Sequence, residues 1–152
     1  HMGGKVGVLV NLAVEGIDAD KVIELGKDVA MQICAMNPTF LDKSDVDQST
    51  LDKEKEIQLA MMANDPKMAN KPDQVKEKIV DGKLNKFYSE NCLLQQEFVK
   101  DGSMSVEKYI ASAAKALGGS VKFVDAVRFM KGEGIEKKEE DFAAEVAAQM
   151  GK

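Results

Sequence analysis

Two runs with the two-residue period of a β-strand stand at opposite ends of this chain, and whatever lies between them must fit inside their pairing. Residues 5–12 read KVGVLVNL, in which Val6, Val8, Val10 and Leu12 alternate with Gly7, Leu9 and Asn11, as in a strand with one buried face. Residues 121–129, VKFVDAVRF, alternate through Val121, Phe123, Val127 and Phe129. The second run has the length and pattern to pair with the first. Such a pair would close the chain around everything else.

The intervening residues change period. From Asp18 onward, Val22, Leu25, Val29, Ile33 and Met36 are spaced by three or four and line one helical face. Asn37-Pro38 stops that helix, because a residue before proline is pushed out of the α region. Asp47-Gln48-Ser49 supplies capping side chains for a charged helix from about Thr50 to Ala63, with apolar positions at Leu51, Ile57, Leu59, Met61 and Met62. A turn-rich stretch, 64–72, leads to a second charged helix starting near Pro72, with Val75, Ile79, Val80, Leu84, Phe87 and Tyr88 as its stripe. Two polar helices joined by a short link read as an antiparallel hairpin projecting from a more apolar body.

A further helix spans Ser105–Leu117 and closes at Gly118-Gly119, where left-handed backbone is needed. Gly132-Glu133-Gly134 makes a turn, and Glu139–Met150 forms a last helix with Phe142, Val146 and Met150 on one side. The expected class is α+β: a small antiparallel sheet with helices on one face, an inserted antiparallel helical hairpin and a C-terminal helix. The divisions fall at 1–46 plus 95–135 for the core, 47–94 for the hairpin and 136–152 for the terminal module. No internal repeat is visible.

The chemistry these residues allow is narrow. At 152 residues and 44% apolar composition there is material for one ordinary domain. The net charge of −5 comes with scattered basic residues, which argues against a nucleic-acid surface. No run is long and apolar enough to span a membrane, and the beginning lacks the regions of a secretory signal, so a soluble intracellular protein is expected. Cys34 and Cys92 lack CxxC spacing and read as reduced, buried thiols. The single histidine is residue 1, which leaves no partnered base for a nucleophile. Asp52–Glu56 and Glu139–Asp141 read as solvated helix faces, not metal or acid–base sites. The 132–134 turn lacks the spacing and the Lys-Ser/Thr of a phosphate loop. The methionines fall at helical spacing and mostly fill gaps in a core. No catalytic residue, metal or cofactor is expected; Phe142 and Met150, on a terminal helix with little beside it, are candidates for an exposed contact.

Three stretches carry a likeness to a known family. They are KVGVLVNL with DVAMQICAMNP; DKEKEIQLAMM with KPDQVKEKIVDGKLNKFYSENCLLQQEFVKD; and RFMKGEGIEKKEEDFAAEVAAQ. From about Gly3 to Gln149 the chain resembles bacterial elongation factor Ts, in unbroken order. The resemblance implies a cytoplasmic guanine-nucleotide exchange factor that binds elongation factor Tu and promotes GDP release, without enzymatic chemistry of its own. It makes the 47–94 hairpin a coiled-coil or dimerisation module, and so a route to a homodimer. It makes the sheet and its helix the second half of the family's core. It places Phe142, Val146 and Met150 at the interface with elongation factor Tu. Two family features are missing here: the three-helix opening domain, and the half of the core with its TDFV loop. A shortened form is expected. His1 has two readings: a scar of a cleaved tag, or the family histidine that precedes a glycine pair and a basic residue, in which case it too sits at the partner interface. The rival reading is a structural coiled-coil adaptor without exchange activity.

Overall fold

A computed structural model describes residues 5–132 of the chain. Strand β1, Val6–Glu15, pairs antiparallel with the last described strand, Ser120–Met130, from Val6 opposite Met130 to Glu15 opposite Ser120. The even residues of β1 point inward throughout, as the alternation requires. The partner strand does not keep a single phase. Leu12 faces Phe123 and Asn11 faces Asp125, so Val124 is an extra residue, a β-bulge. One extra residue exchanges the two faces of all that follows. Val121 and Phe123 point in, as the alternation predicts, but beyond the bulge Ala126 and Arg128 take the inner face. The expectation that Val127 and Phe129 share a face with Phe123 is thereby corrected: they are 52% and 45% exposed. Arg128 Nη2 reaches the Cys34 carbonyl at 3.5 Å, near the end of the first helix, where unpaired carbonyls favour a cation, while its buried Nε finds no partner among the described residues.

That helix, α1, spans Ile23–Met36 after a 3₁₀ turn at Ala19–Val22. Leu25, Val29, Gln32 and Ile33 form its buried face, whereas Met36, expected in the stripe, is 48% exposed. It ends on Asn37 in the left-handed region (φ 43), whose N–H donates to the Ile33 carbonyl at 3.0 Å. The hairpin consists of α2, Gln48–Asn64, a single turn α3, Pro66–Ala69, and α4, Asp73–Asn91. Asp65 caps α3 by accepting from the Lys67 N–H at 2.9 Å. Helices α2 and α4 pack on one another through Met62, Val80 and Leu84, with Leu51, Ile79 and Tyr88 at the margin. The seam is narrower than the sequence stripe: Ile57, Leu59 and Met61 stay largely exposed.

A second ribbon follows, β2 at Glu97–Phe98 and β3 at Asp101–Ser105. Helix α5, Val106–Ala116, starts with Ser105 Oγ accepting from the Lys108 N–H and ends, as expected, at Gly118 with φ +84. Strand β4 is then Ser120–Met130. Gly119 is demanded by space: a Cβ there would come within 2.2 Å of the Glu15 carbonyl oxygen. Helices α1 and α5 pack on the inner face of β1 and β4. Between them lies the main core of Leu25, Val29, Ile33, Leu93, Phe98, Val106 and Ile110.

Candidate functional site

The hairpin is fastened where it joins the body. Phe40 N–H donates to the Asn91 carbonyl (3.0 Å), Leu93 N–H to the Phe40 carbonyl (2.9 Å) and Leu94 N–H to the Leu41 carbonyl (3.1 Å), so the incoming and outgoing chain form a short parallel bridge. Gln95 completes the clasp: its Nε2 donates to Asp42 at 2.7 Å and its Oε1 accepts from the Lys43 N–H at 2.9 Å. The Ser44 hydroxyl, which outweighs partial burial, and the Gln95 amide hold the Asp42 carboxyl below its ordinary range. Cys92, fully buried in the bridge, has its thiol pushed up to about 11 by burial and then by the charges of Asp42 and Asp45. Only a thiolate attacks or binds metal readily, so this cysteine is inert at neutral pH.

A buried amide pair ties the same junction to α1. Gln32 Nε2 donates to Gln96 Oε1 (3.2 Å) and to the Glu97 carbonyl (3.0 Å), and its Oε1 accepts from the Val99 N–H (2.8 Å). Gln96 Nε2 in turn donates to the Glu90 carbonyl in α4 (3.0 Å). Both glutamines are fully buried and both are satisfied, so the network rigidifies instead of destabilising. Nearby, Tyr109 donates its hydroxyl hydrogen to Asp28 at 2.5 Å, Lys100 is ion-paired to the same carboxylate, and the Tyr109 ring stacks on Phe98 with centroids 4.0 Å apart. Burial pushes the Asp28 carboxyl up, but the hydrogen bonds from Lys100 and Tyr109 and the lysine charge outweigh it and hold the group below its usual value. Burial, followed by the hydrogen bond to Asp28, pushes the Tyr109 phenol well up. Its proton is a fixed structural donor.

Among the described residues, two apolar surfaces are exposed. On the outer face of the β1–β4 ribbon, Leu9 lies opposite Val127 and Gly7 opposite Phe129. The Phe129 ring lies against Gly7, 3.2 Å from where a Cβ would stand. On the hairpin, Ile57, Leu59, Met61 and Val75 are exposed. The residues that sequence reasoning nominated for the partner interface, His1, Phe142, Val146 and Met150, lie outside the described residues. Among the described residues there is no group of three or more potential metal ligands and no helix long and apolar enough to cross a membrane. Sequence reading missed Gln32 and Gln96. A polar side chain between Val29 and Ile33 on an apolar helical face was the available signal for the first; nothing local marks its partner, which is 64 residues away.

These features define an α+β scaffold that presents surfaces: a ribbon with one face uncovered among the described residues and a helical hairpin held firmly at its root. The chain belongs to the elongation factor Ts family, whose family model, "Elongation factor TS", matches residues 1–133. It is 49% identical over 150 residues to elongation factor Ts of Clostridium kluyveri and 51% identical to that of Clostridium botulinum, in each case over 99% of this chain and 47% of the relative. The chain thus spans about half the length of these relatives. The resemblance read from the sequence is shown at the level of the family, and with it a translation elongation factor lineage.

Proposed function

We propose that this chain is the partner-binding half of a guanine-nucleotide exchange factor, docking on elongation factor Tu in a bacterial cytoplasm and favouring GDP release without making or breaking a bond. The observation that carries the reading is collinear kinship to elongation factor Ts over 99% of the chain. An inert buried thiol and a phenol locked to Asp28 fit a protein that works by contact. Exchange of this kind is a coupling free energy: binding stabilises a partner state that holds its nucleotide poorly. The core, 1–46 with 95–135, is the scaffold; the 47–94 segment is the coiled-coil or dimerisation module; and 136–152 is the terminal module, contacting the partner through Phe142, Val146 and Met150, with His1 as a further contact.

The test is release of fluorescent GDP from elongation factor Tu. Because these 152 residues span about half the length of their relatives, their stimulation alone should fall at least about tenfold below that of a full-length factor, while they still bind. Phe142→Ala should weaken that binding at least about tenfold, about 1.4 kcal/mol, as expected for a central aromatic anchor. Binding that ignores Phe142 and 138–152 but fails when the hairpin surface is changed supports the rival, a structural adaptor. That rival draws on the exposed Ile57, Leu59 and Met61, which are also where a second copy would join to form a homodimer. Met61→Glu would then shift sedimentation from dimer to monomer.

A further inference from the structure

A groove of about 460 Å³ opens where α5, strand β4 and the root of the hairpin meet, a volume in the range that takes a ligand or a few side chains. Its apolar lining is Leu41 and Leu94 from the root, Ile110 from α5, and Val121 and Phe123 from β4. Ile110 is buried, and the other four are half-buried.

The groove follows an edge of the ribbon. Four consecutive residues of β4, Val121–Val124, line it, and consecutive side chains stand on opposite faces of a strand. No residue of β1 takes part, so this is the edge away from β1, where β4 has no neighbouring strand among the described residues. An open edge offers backbone N–H and C=O groups to an added strand, and a flanking pocket then selects its side chains. The bulge at Val124 confines the regular stretch to the first residues of β4. An added segment is therefore short.

The charges beside the groove have one dominant sign. Asp42, Asp45 and Glu107 line it against a single Lys122. The Asp42 carboxylate is held by the Ser44 hydroxyl and the Gln95 amide, and Asp45 by accepting from the Asp42 N–H, so both charges are fixed before anything binds. Glu107 is exposed in the first turn of α5. Carboxylates set beside apolar surface favour a cationic, apolar partner and oppose an acidic one.

We infer that this groove docks a short extended segment of a partner protein, which adds to the open edge of β4 at Val121–Val124, sets apolar side chains against Leu41, Leu94 and Phe123, and carries lysine or arginine beside Asp42, Asp45 and Glu107.

The test is an NMR titration of the full chain, with no elongation factor Tu present, so its failure is distinct from failure of the exchange-factor reading. The probe is a capped pentapeptide, lysine–valine–threonine–valine–lysine. Saturable shifts are expected at the Ile110, Val121 and Phe123 amides, with backbone Overhauser contacts between the peptide and residues 121–124. The same peptide with glutamate in place of both lysines should bind at least about tenfold more weakly. Ala111→Lys, at an exposed position in the lining, should weaken the lysine peptide by about tenfold through like charge, while the Val29 and Ile33 amides stay in place. Four results overturn the inference: no saturable shift; equal binding of the two peptides; binding that ignores Ala111→Lys; or shifts at 121–124 that appear on concentrating the chain without peptide, which would seat a second copy there.

Discussion

At the scale of single residues, the structure depends on polar side chains that have no slack. Gln32→Leu keeps the volume of the site but strands Gln96 Oε1, the Glu97 carbonyl and the Val99 N–H beside a fully buried side chain. A stranded buried group costs about 1–3 kcal/mol, so the loss in urea unfolding should reach at least about 3 kcal/mol; a change under about 1 kcal/mol would show that solvent reaches the network. The titrating groups set a pH dependence of known sign. Asp28 has its folded value held below the ordinary 3.8, so its contribution is present above that pH and is lost as pH falls through the folded value. Tyr109, raised above 10.0, and Cys92, raised from 9.0 to about 11, act in the opposite direction. Their contributions are complete below the unfolded values and disappear as pH rises through the folded ones. Stability measured by denaturant should therefore fall above about pH 9, and Tyr109→Phe with Cys92→Ala should flatten that decline. An equally steep decline in the double variant would place its origin elsewhere.

At the scale of elements, the bulge at Val124 separates two phenylalanines that plain alternation treats alike. Phe123 packs against the core from the inner face, so Phe123→Ala should cost about 2–3 kcal/mol, somewhat less than the about 3–5 kcal/mol typical of full burial. Phe129→Ala, on the outer face, should cost about 1 kcal/mol or less. Equal losses would contradict the register. The hairpin invites a similar comparison. A boundary drawn at residue 94 cuts off Leu93, which is fully buried in the main core, and Cys92, which bridges Phe40. Replacing 48–90 with a short Gly/Ser link should leave the body unfolding cooperatively, since α2 and α4 bury their seam against each other. Extending the excision through residue 94 should abolish that transition.

At the scale of the whole molecule, what could be read from the sequence followed the reach of its periodic signals. Long runs gave β1, α1, the hairpin helices, α5 and the pairing of the terminal strands, because one buried face imposes a period over ten residues or more. The two-residue β2 and its short partner carry no period to read, and so went unseen. The bulge left only a faint mark: Asp125 interrupts the apolar phase of Val121, Phe123, Val127 and Phe129, and the facing strand is needed to show that Val124 is an extra residue. The Gln32–Gln96 bond and the clasp between Asp42 and Gln95 join residues far apart in sequence, where local pattern has no information. The partner surfaces depended on kinship more than on pattern.

The pairing of β1 with β4 also orders events in time. The hairpin helices and α5 are built from near neighbours and can form early, whereas the ribbon must close a loop reaching from Glu15 to Ser120, the slow kind of contact in folding. During synthesis at about 5–20 residues per second, β1 would emerge and wait on the order of 5 to 20 seconds for its mate. For that interval its valines have only α1 to lie against, and both of its backbone edges are free to recruit a strand from another nascent chain.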